Sequence, residues 1–310
     1  MKKILSLLLA LVLVLSLVAC GNNKNTKETK DEAKPAEKTE SKDENKKPAE
    51  KASGAINVIS REEGSGTRGA FVEIVKVLDK DKNDLTTPTA AMIGTTGGVI
   101  EAVAPDSKAI GYASLGSVEK NKDVKMLKVN SVEPTPETIL SGKYPIQRPL
   151  NIAYREDKIS DLAKDFVSFM MSKEGQDIAV KSGFVQADAN AKPYEKKEFE
   201  GKIAVSGSTS VGPLMEKLAE AYKGLHPKVQ IEINQHGSSA GMTDSIQGLN
   251  DIGMASRELK DDEKAKLAHK AIAKDGIALI VSPQNPVSEI SMETIKGIYK
   301  GEITDWKDVK

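Results

Sequence analysis

Short apolar runs with strand-like composition alternate with segments of helical periodicity from about Ile56 to the end of the chain. The pattern predicts strands at 109–113, 125–129, 151–153, 203–206, 229–234, 251–255 and 277–281, and helices at 159–172, 173–182, 213–225 and 261–266. In the first of these helices, Leu162, Phe166, Phe169 and Met170 are spaced to form one apolar stripe. Strands that alternate with helices predict an α/β fold with mostly parallel sheets flanked by helices.

Three turns rich in Gly, Ser and Thr each lie between a predicted strand and a predicted helix. Their sequences are REEGSGT at 61–67, GSTS at 207–210 and GSSAG at 237–241. A helix N-terminus presents unpaired backbone N–H groups and about half a positive charge. Small hydroxyl residues add donors without blocking an approaching anion. One such turn is usually only a helix cap, but three similar turns predict a site for a small oxyanion.

The charge balance and the scarcity of aromatic residues exclude several other functions. Lys plus Arg and Asp plus Glu both number 45, and aromatic residues make up 4% of the chain. Neither a nucleic-acid surface nor a stacking platform for bases is therefore expected. No spacing of His, Cys, Asp and Glu predicts a metal site, and no base adjoins a serine as hydrolysis would require. We expect no cofactor, no metal and no catalytic residue.

The N-terminal segment predicts export and lipid attachment. Lys2 and Lys3 precede the apolar run 4–18, which is short for a membrane span. The following LVACG sequence at 17–21 resembles the lipobox of bacterial lipoproteins, which implies lipidation of Cys20 after removal of a signal peptide. The alternative is an ordinary signal peptide. Residues 21–54 are nearly all Lys, Glu, Asp, Asn, Thr, Ala and Pro, and they predict a disordered tether.

Several sequence blocks together resemble the PstS-type phosphate-binding proteins of bacterial ABC importers. The blocks are SGSTSVGP at 206–213, GSSAG at 237–241, DIGMASR at 251–257, REEGSGTR at 61–68, TDWKD at 304–308 and GTTGG at 94–98. The resemblance extends from Ile56 to Lys310. It implies a two-lobed, periplasmic-binding-protein-like fold that binds its ligand in the cleft between the lobes.

The blocks occur in a different order from that of the family. In the family the GSTSVGP block comes first and the REEGSGTR block follows the TDWKD segment. Here residues 56–185, the family's second half, precede residues 202–310, its first half. The order suggests a circular permutant whose old termini are joined through the polar connection 186–202. The alternatives are a rearranged gene, an assembly artefact or part of a tandem array.

Permutation changes the expected division of the chain into lobes. We predict one continuous lobe at 145–282 and one discontinuous lobe formed by 55–144 and 283–310. If the connection turns back, one chain completes its own site. If it cannot, a domain-swapped dimer forms, in which each half completes the site of its partner.

The resemblance also implies which residues bind phosphate. Arg61 matches the family's phosphate-contacting arginine, and a guanidinium fits two phosphate oxygens. Arg68, one residue beyond the turn, is interpreted as a structural or solvated charge. The predicted ligand contacts are Thr209, Ser210, Ser238, Arg61, Ser65, Gly66 and Thr67.

One position departs from the family pattern. Many members carry an aspartate after the DIG segment that accepts the phosphate proton and helps to reject sulfate. Ser256 and Arg257 stand there instead, and both are considered possible ligands. Asp251 is interpreted as a structural residue of the turn.

These observations predict a lipid-anchored receptor on the extracytoplasmic face of the membrane that delivers inorganic phosphate to an ABC permease. One alternative is a receptor for tungstate, molybdate or sulfate. A surface phosphohydrolase and an inactive surface protein are further alternatives.

Overall fold

The computed structural model describes residues 52–309. The predicted signal peptide, Cys20 and residues 21–51 of the predicted tether lie outside the described residues. Within residues 52–309, no helix has the length and apolar character needed to span a membrane.

Twelve strands and ten helices alternate along the described part of the chain. The strands are β1 Asn57–Arg61, β2 Ala91–Ile93, β3 Ala109–Ser114, β4 Lys125–Met126, β5 Lys128–Val129, β6 Gln147–Tyr154, β7 Val185–Gln186, β8 Gly201–Gly207, β9 Val229–Gln235, β10 Ile252–Ala255, β11 Ala268–Val281 and β12 Glu289–Ile290. The helices are α1 Gly66–Val75, α2 Thr96–Val103, α3 Leu115–Val118, α4 Pro136–Leu140, α5 Asp161–Met171, α6 Lys173–Lys181, α7 Gly212–Leu225, α8 Ser238–Gln247, α9 Asp261–Lys264 and α10 Met292–Lys300. A 3₁₀ turn follows at Trp306–Asp308.

The central sheet has two parallel flanks joined by antiparallel strands. Its order is β2-β1-β3-β11-β6-β10-β8-β9. The strands β2, β1 and β3 are mutually parallel, and so are β10, β8 and β9. The long strand β11 pairs antiparallel with both β3 and β6. The predicted α/β fold with parallel strands is confirmed, and β6 and β11 connect its two halves.

Separate apolar clusters cover the two halves. One cluster includes Leu150, Ile203, Leu214 and the predicted stripe of α5, all buried. The other clusters pack around β1, β3 and the C-terminal part of β11. The packing changes between Ile146, just before β6, and Leu150 on β6, and again between Ala273 and Ile277 on β11. Residues 277–281 therefore pack with the half that contains β1, although the predicted continuous lobe extends to Ser282.

The first and last described segments pair with each other. The Ile56 N–H donates to the Thr304 carbonyl at 2.8 Å, and the Trp306 N–H donates to the Gly54 carbonyl at 2.9 Å. The Asp305 side chain accepts from the Gly54 N–H at 3.1 Å. Both ends of the folded chain thus lie at one place on the half that contains β1.

The polar connection between β7 and β8 packs along helices α5 and α6. The Lys192 carbonyl accepts from the Lys173 N–H at 2.7 Å, and Glu174 accepts from the Tyr194 N–H at 2.8 Å. The Tyr194 hydroxyl donates to the Asp165 carboxylate. The connection is therefore held against the half that contains β8.

Candidate functional site

Side chains at the starts of helices from both halves meet in one cluster of hydroxyl groups. Thr67 on α1 has its Oγ1 2.8 Å from Ser210 Oγ, which lies just before α7. Thr96 on α2 has its Oγ1 2.9 Å from Ser210 Oγ and 3.2 Å from Thr209 Oγ1. All four residues are buried. The hydroxyl cluster therefore joins the half that contains β1 to the half that contains β8.

Each of these hydroxyl groups is placed by a strand-to-helix turn. Strand β1 leads into α1 with Thr67, β2 leads into α2 with Thr96, and β8 leads into the turn before α7 with Thr209 and Ser210. Strand β9 leads into α8 in the same way. The parallel strands of each half bring their C-terminal ends to one edge of the sheet. Ser65 caps α1 by accepting from the Arg68 N–H, and Thr95 caps α2 by accepting from the Gly98 N–H. The predicted strand-to-helix turns at 61–67, 207–210 and 237–241 are thus present.

Several backbone N–H groups in these turns are available to donate to a ligand. The N–H groups of Gly66, Thr67, Thr209 and Ser238 form no hydrogen bond to another group within residues 52–309. First-turn N–H groups have no partner inside their own helix. Together with the helix dipoles they create a local positive potential in a chain of balanced overall charge.

Gly66 allows the two halves to approach closely. A Cβ atom added at Gly66 would lie 2.2 Å from Ser238 Oγ and 2.8 Å from Ser256 Oγ. These distances are shorter than any van der Waals contact, so only glycine fits here. Ser238 is fully buried, and its Oγ accepts from the Ser256 N–H at 3.2 Å.

The Arg61 guanidinium lies beside the hydroxyl cluster and is 2% exposed. Its Nη2 donates to Thr209 Oγ1 at 3.1 Å, and its Nη1 donates to Thr96 Oγ1 at 3.3 Å. Its Nε and Nη2 also donate to the two carboxylate oxygens of Glu62, each at 2.9 Å. Glu62 thus occupies one bidentate edge of the guanidinium, and the Nη1 side faces the hydroxyl groups.

Arg68 has a different environment. Its Nε donates to Asp84 at 2.7 Å, and its Nη1 donates to the Arg61 backbone carbonyl at 3.0 Å. The side chain is 19% exposed. Arg68 therefore supports the end of β1, where Arg61 lies, and makes no hydrogen bond to the hydroxyl cluster.

Ser256 and Arg257 lie on different sides of their turn. The Ser256 Oγ is 3.5 Å from Thr67 Oγ1, at the edge of the hydroxyl cluster. Arg257 instead donates to both carboxylate oxygens of Glu263, at 2.7 and 2.8 Å. Burial opposes ionisation of Glu263, but hydrogen bonds from Arg257 and the Lys260 N–H outweigh it and lower its pKa. Arg257 is thus engaged in an ion pair, with one further contact to Ser239 Oγ at 3.3 Å.

Two cavities lie in this region, and members of the hydroxyl cluster line the smaller of them. One of about 430 Å³ is lined by residues that include Thr96, Thr209 and Gln235. A larger one of about 1000 Å³ extends from Ser65 to Arg257. No group of His, Cys, Asp and Glu side chains within residues 52–309 could hold a metal ion.

Sequence reasoning missed two residues of this site. Thr96 belongs to the GTTGG block but was assigned no role, because neither a strand nor a helix was predicted around it. Glu62 adjoins Arg61 in the sequence, and adjacency alone does not reveal a bidentate ion pair. The resemblance of the GTTGG block was the available signal for Thr96.

Comparison with known proteins identifies the family. The model of the PBP superfamily domain matches residues 20–174 and 188–310. The Phosphate-binding protein PstS 2 of Streptococcus pneumoniae is 47% identical over 262 residues, which cover 84% of this chain and 89% of that protein. The chain belongs to the PstS-type family of phosphate-binding proteins.

A solved structure supports the same relationship for this PstS-type chain. The crystal structure of a phosphate ABC transporter, phosphate-binding protein from Streptococcus pneumoniae TIGR4 is 46% identical. It superposes with a TM-score of 0.68 and covers 83% of this chain and 100% of its own. The periplasmic-binding-protein-like fold implied by the sequence is therefore confirmed.

The extent of the alignments differs between relatives of this PstS-type chain. The Phosphate-binding protein PstS of Staphylococcus haemolyticus is 40% identical over 121 residues, only 36% of this chain and 38% of that protein. An alignment preserves chain order, so the pneumococcal protein has its segments in the same order as this chain. The staphylococcal match covers a single segment.

Proposed function

We propose that this chain is a receptor that binds inorganic phosphate and delivers it to an ABC permease. The observation that carries the proposal is the cluster of Thr67, Thr96, Thr209 and Ser210 hydroxyl groups beside Arg61, at the meeting point of both halves. Its relatives are named phosphate-binding proteins.

The chemistry of the cluster suits a small, highly charged anion. An anion among these hydroxyl groups would replace the hydroxyl–hydroxyl bonds with bonds to its own oxygens. The N–H groups of Gly66, Thr67, Thr209 and Ser238 supply further donors, and many donors are needed because desolvating a charge is costly. Arg61 adds a formal positive charge through its Nη1 side, while Ser65, Gly66 and Ser256 line the periphery. We expect Arg257 to make no direct contact with the anion, because its guanidinium binds Glu263 and contacts Ser239 Oγ beside the site.

Calorimetry with a series of anions tests this proposal. We expect phosphate to bind more tightly than sulfate, molybdate or tungstate at neutral pH. At a phosphate concentration about a hundred times the dissociation constant, the free energy of unfolding should rise by about 2.7 kcal/mol. Tighter binding of sulfate than of phosphate would reject phosphate as the ligand. Absence of stabilisation by every anion would instead favour an inactive surface protein.

We further propose that the chain is a binding protein without hydrolytic activity. Hydrolysis by a serine requires an adjacent general base, and the hydroxyl groups of Thr67, Thr96 and Ser210 contact one another. Turnover of a phosphomonoester by the purified protein, lost in Ser65→Ala, would contradict this part of the proposal.

Lipid anchoring through Cys20 on the extracytoplasmic face is proposed from the sequence alone. Radioactive palmitate should label the full-length protein in bacterial cells and should not label the Cys20→Ser variant. Equal labelling of both proteins would exclude Cys20 as the lipidation site.

We also propose that the chain is a functional circular permutant with one lobe formed by 55–144 plus 283–310 and the other close to 145–282, except that residues 277–281 pack with the first. Pairing of Gly54 with Trp306 supports it, because the ends opened by permutation should be neighbours. The shared order of the pneumococcal relative, against the short staphylococcal match, also supports it. Light scattering should give a monomer that binds one phosphate. An obligate dimer would favour domain swapping.

A further inference from the structure

A buried ion pair links the two strands that connect the halves. Arg148 on β6 lies opposite Asp275 on β11 in the strand register. Its Nε and Nη2 donate to Asp275 Oδ2 at 3.2 and 2.9 Å. The exposed fractions of these two side chains are 1% and 0%. The pair sits where the core packing changes from one half to the other.

The third nitrogen of the same guanidinium holds the turn after β10. The Arg148 Nη1 donates to the Ser256 carbonyl at 3.0 Å. Three residues along β6, Asn151 Nδ2 donates to the Arg257 carbonyl at 2.8 Å. Two side chains of one connecting strand therefore fix two consecutive carbonyl groups of the turn that carries Ser256.

We propose that Arg148 is a positioning residue for the anion site, acting through Ser256. A turn released from Arg148 could rotate, and the Ser256 Oγ would then leave its place 3.5 Å from Thr67 Oγ1. The Ser256 N–H would also lose its bond to Ser238 Oγ. Because the same guanidinium binds Asp275, the arrangement of the connecting strands and the position of Ser256 are set together.

Stability alone does not account for this arrangement. The guanidinium directs two of its nitrogens to a single oxygen, Asp275 Oδ2, and both charged side chains are removed from water. A buried ion pair of this kind is often no more stabilising than well-packed apolar residues of similar volume.

A double-mutant cycle between Arg148→Lys and Ser256→Ala tests the inference, which rests on the proposed phosphate binding. Each single variant should lose about tenfold in phosphate affinity, as expected for one hydrogen bond to a charged ligand. The double variant should lose about tenfold rather than about a hundredfold, because both changes remove the same contact. Calorimetry gives the affinities, and denaturation without phosphate gives the stabilities.

Tyr144→Phe is the matched control. Tyr144 is fully buried and donates to the Ile277 carbonyl on β11 at 2.9 Å, so its loss removes a similar bond near the connecting strands but away from Ser256. It should lower stability and leave phosphate affinity unchanged. An affinity loss in Tyr144→Phe equal to that in Arg148→Lys would mean that general destabilisation explains both, and the inference would fail.

A neutral pair covers the case in which Arg148→Lys does not fold. Combining Arg148→Gln with Asp275→Asn removes both buried charges at similar volume, a change that proteins often tolerate. This variant should fold and bind phosphate about tenfold more weakly. The inference fails if this neutral variant binds phosphate as tightly as the unaltered protein. It also fails if the affinity losses of Arg148→Lys and Ser256→Ala multiply in the double variant. Failure of the unaltered protein to bind phosphate would instead reject the proposed function.

Discussion

Replacing Gly66 with alanine is expected to weaken phosphate binding strongly. The new Cβ would lie 2.2 Å from Ser238 Oγ and 2.9 Å from Ser238 Cβ, so α1 and the start of α8 would have to move apart. Overpacking of this kind costs about 1–3 kcal/mol. The separation would also weaken contacts to the anion from Thr67. We expect affinity to fall by about a hundredfold, or about 3 kcal/mol, in calorimetric titrations.

Gly69→Ala is the matched control for this prediction. It lies one turn further along the same helix, and a Cβ there would meet only Arg257 Cδ at 3.6 Å. Alanine is favoured over glycine inside a helix by about 0.5–1 kcal/mol, so this variant should be slightly more stable. Its phosphate affinity should stay within about threefold of the unaltered protein. Similar losses in both variants would show that α1 tolerates no added methyl group and that close approach at Gly66 is not the cause.

Replacing Arg61 with alanine is expected to weaken phosphate binding by about 2–5 kcal/mol, the range for truncating one partner of a buried charged contact. The change removes the formal positive charge nearest the hydroxyl cluster and both of its hydroxyl contacts. It also leaves Glu62 without its ion-pair partner, so a carboxylate would repel the incoming anion. Arg61→Lys should recover only part of the loss, because an ammonium group cannot contact Thr96, Thr209 and Glu62 together.

Arg68→Ala provides the comparison for Arg61. Arg68 pairs with Asp84 and supports the Arg61 carbonyl from outside the cluster. Its replacement should cost under about 1 kcal/mol of phosphate binding, as for other partly exposed ion pairs. Equal losses at Arg61 and Arg68 would indicate that the anion lies outside the hydroxyl cluster.

Local sequence patterns predicted most strands and the helices that follow the three turns. The predicted strands 203–206, 229–234 and 251–255 match β8, β9 and β10 to within two residues at each end, because short apolar runs bounded by turn residues are a local signal of strands. Helix α1 begins at Gly66, and its first turn carries no apolar residue that would reveal the helical period. The N-terminal part of β11 was missed for a similar reason, because its sequence AHKAIAKDG lacks a simple alternation.

The sequence by itself determined the class of fold and the family, and it predicted an oxyanion site, because turn chemistry and helix starts are local properties. Tertiary structure alone decided which side chains meet. It brought Thr96 to Ser210, turned Arg257 toward Glu263 and paired Arg61 with Glu62. It also joined Arg148 to both Asp275 and Ser256, residues 127 and 108 positions away. Such contacts depend on strand register and on the distance between halves, and neither is encoded in the spacing of residues along the chain.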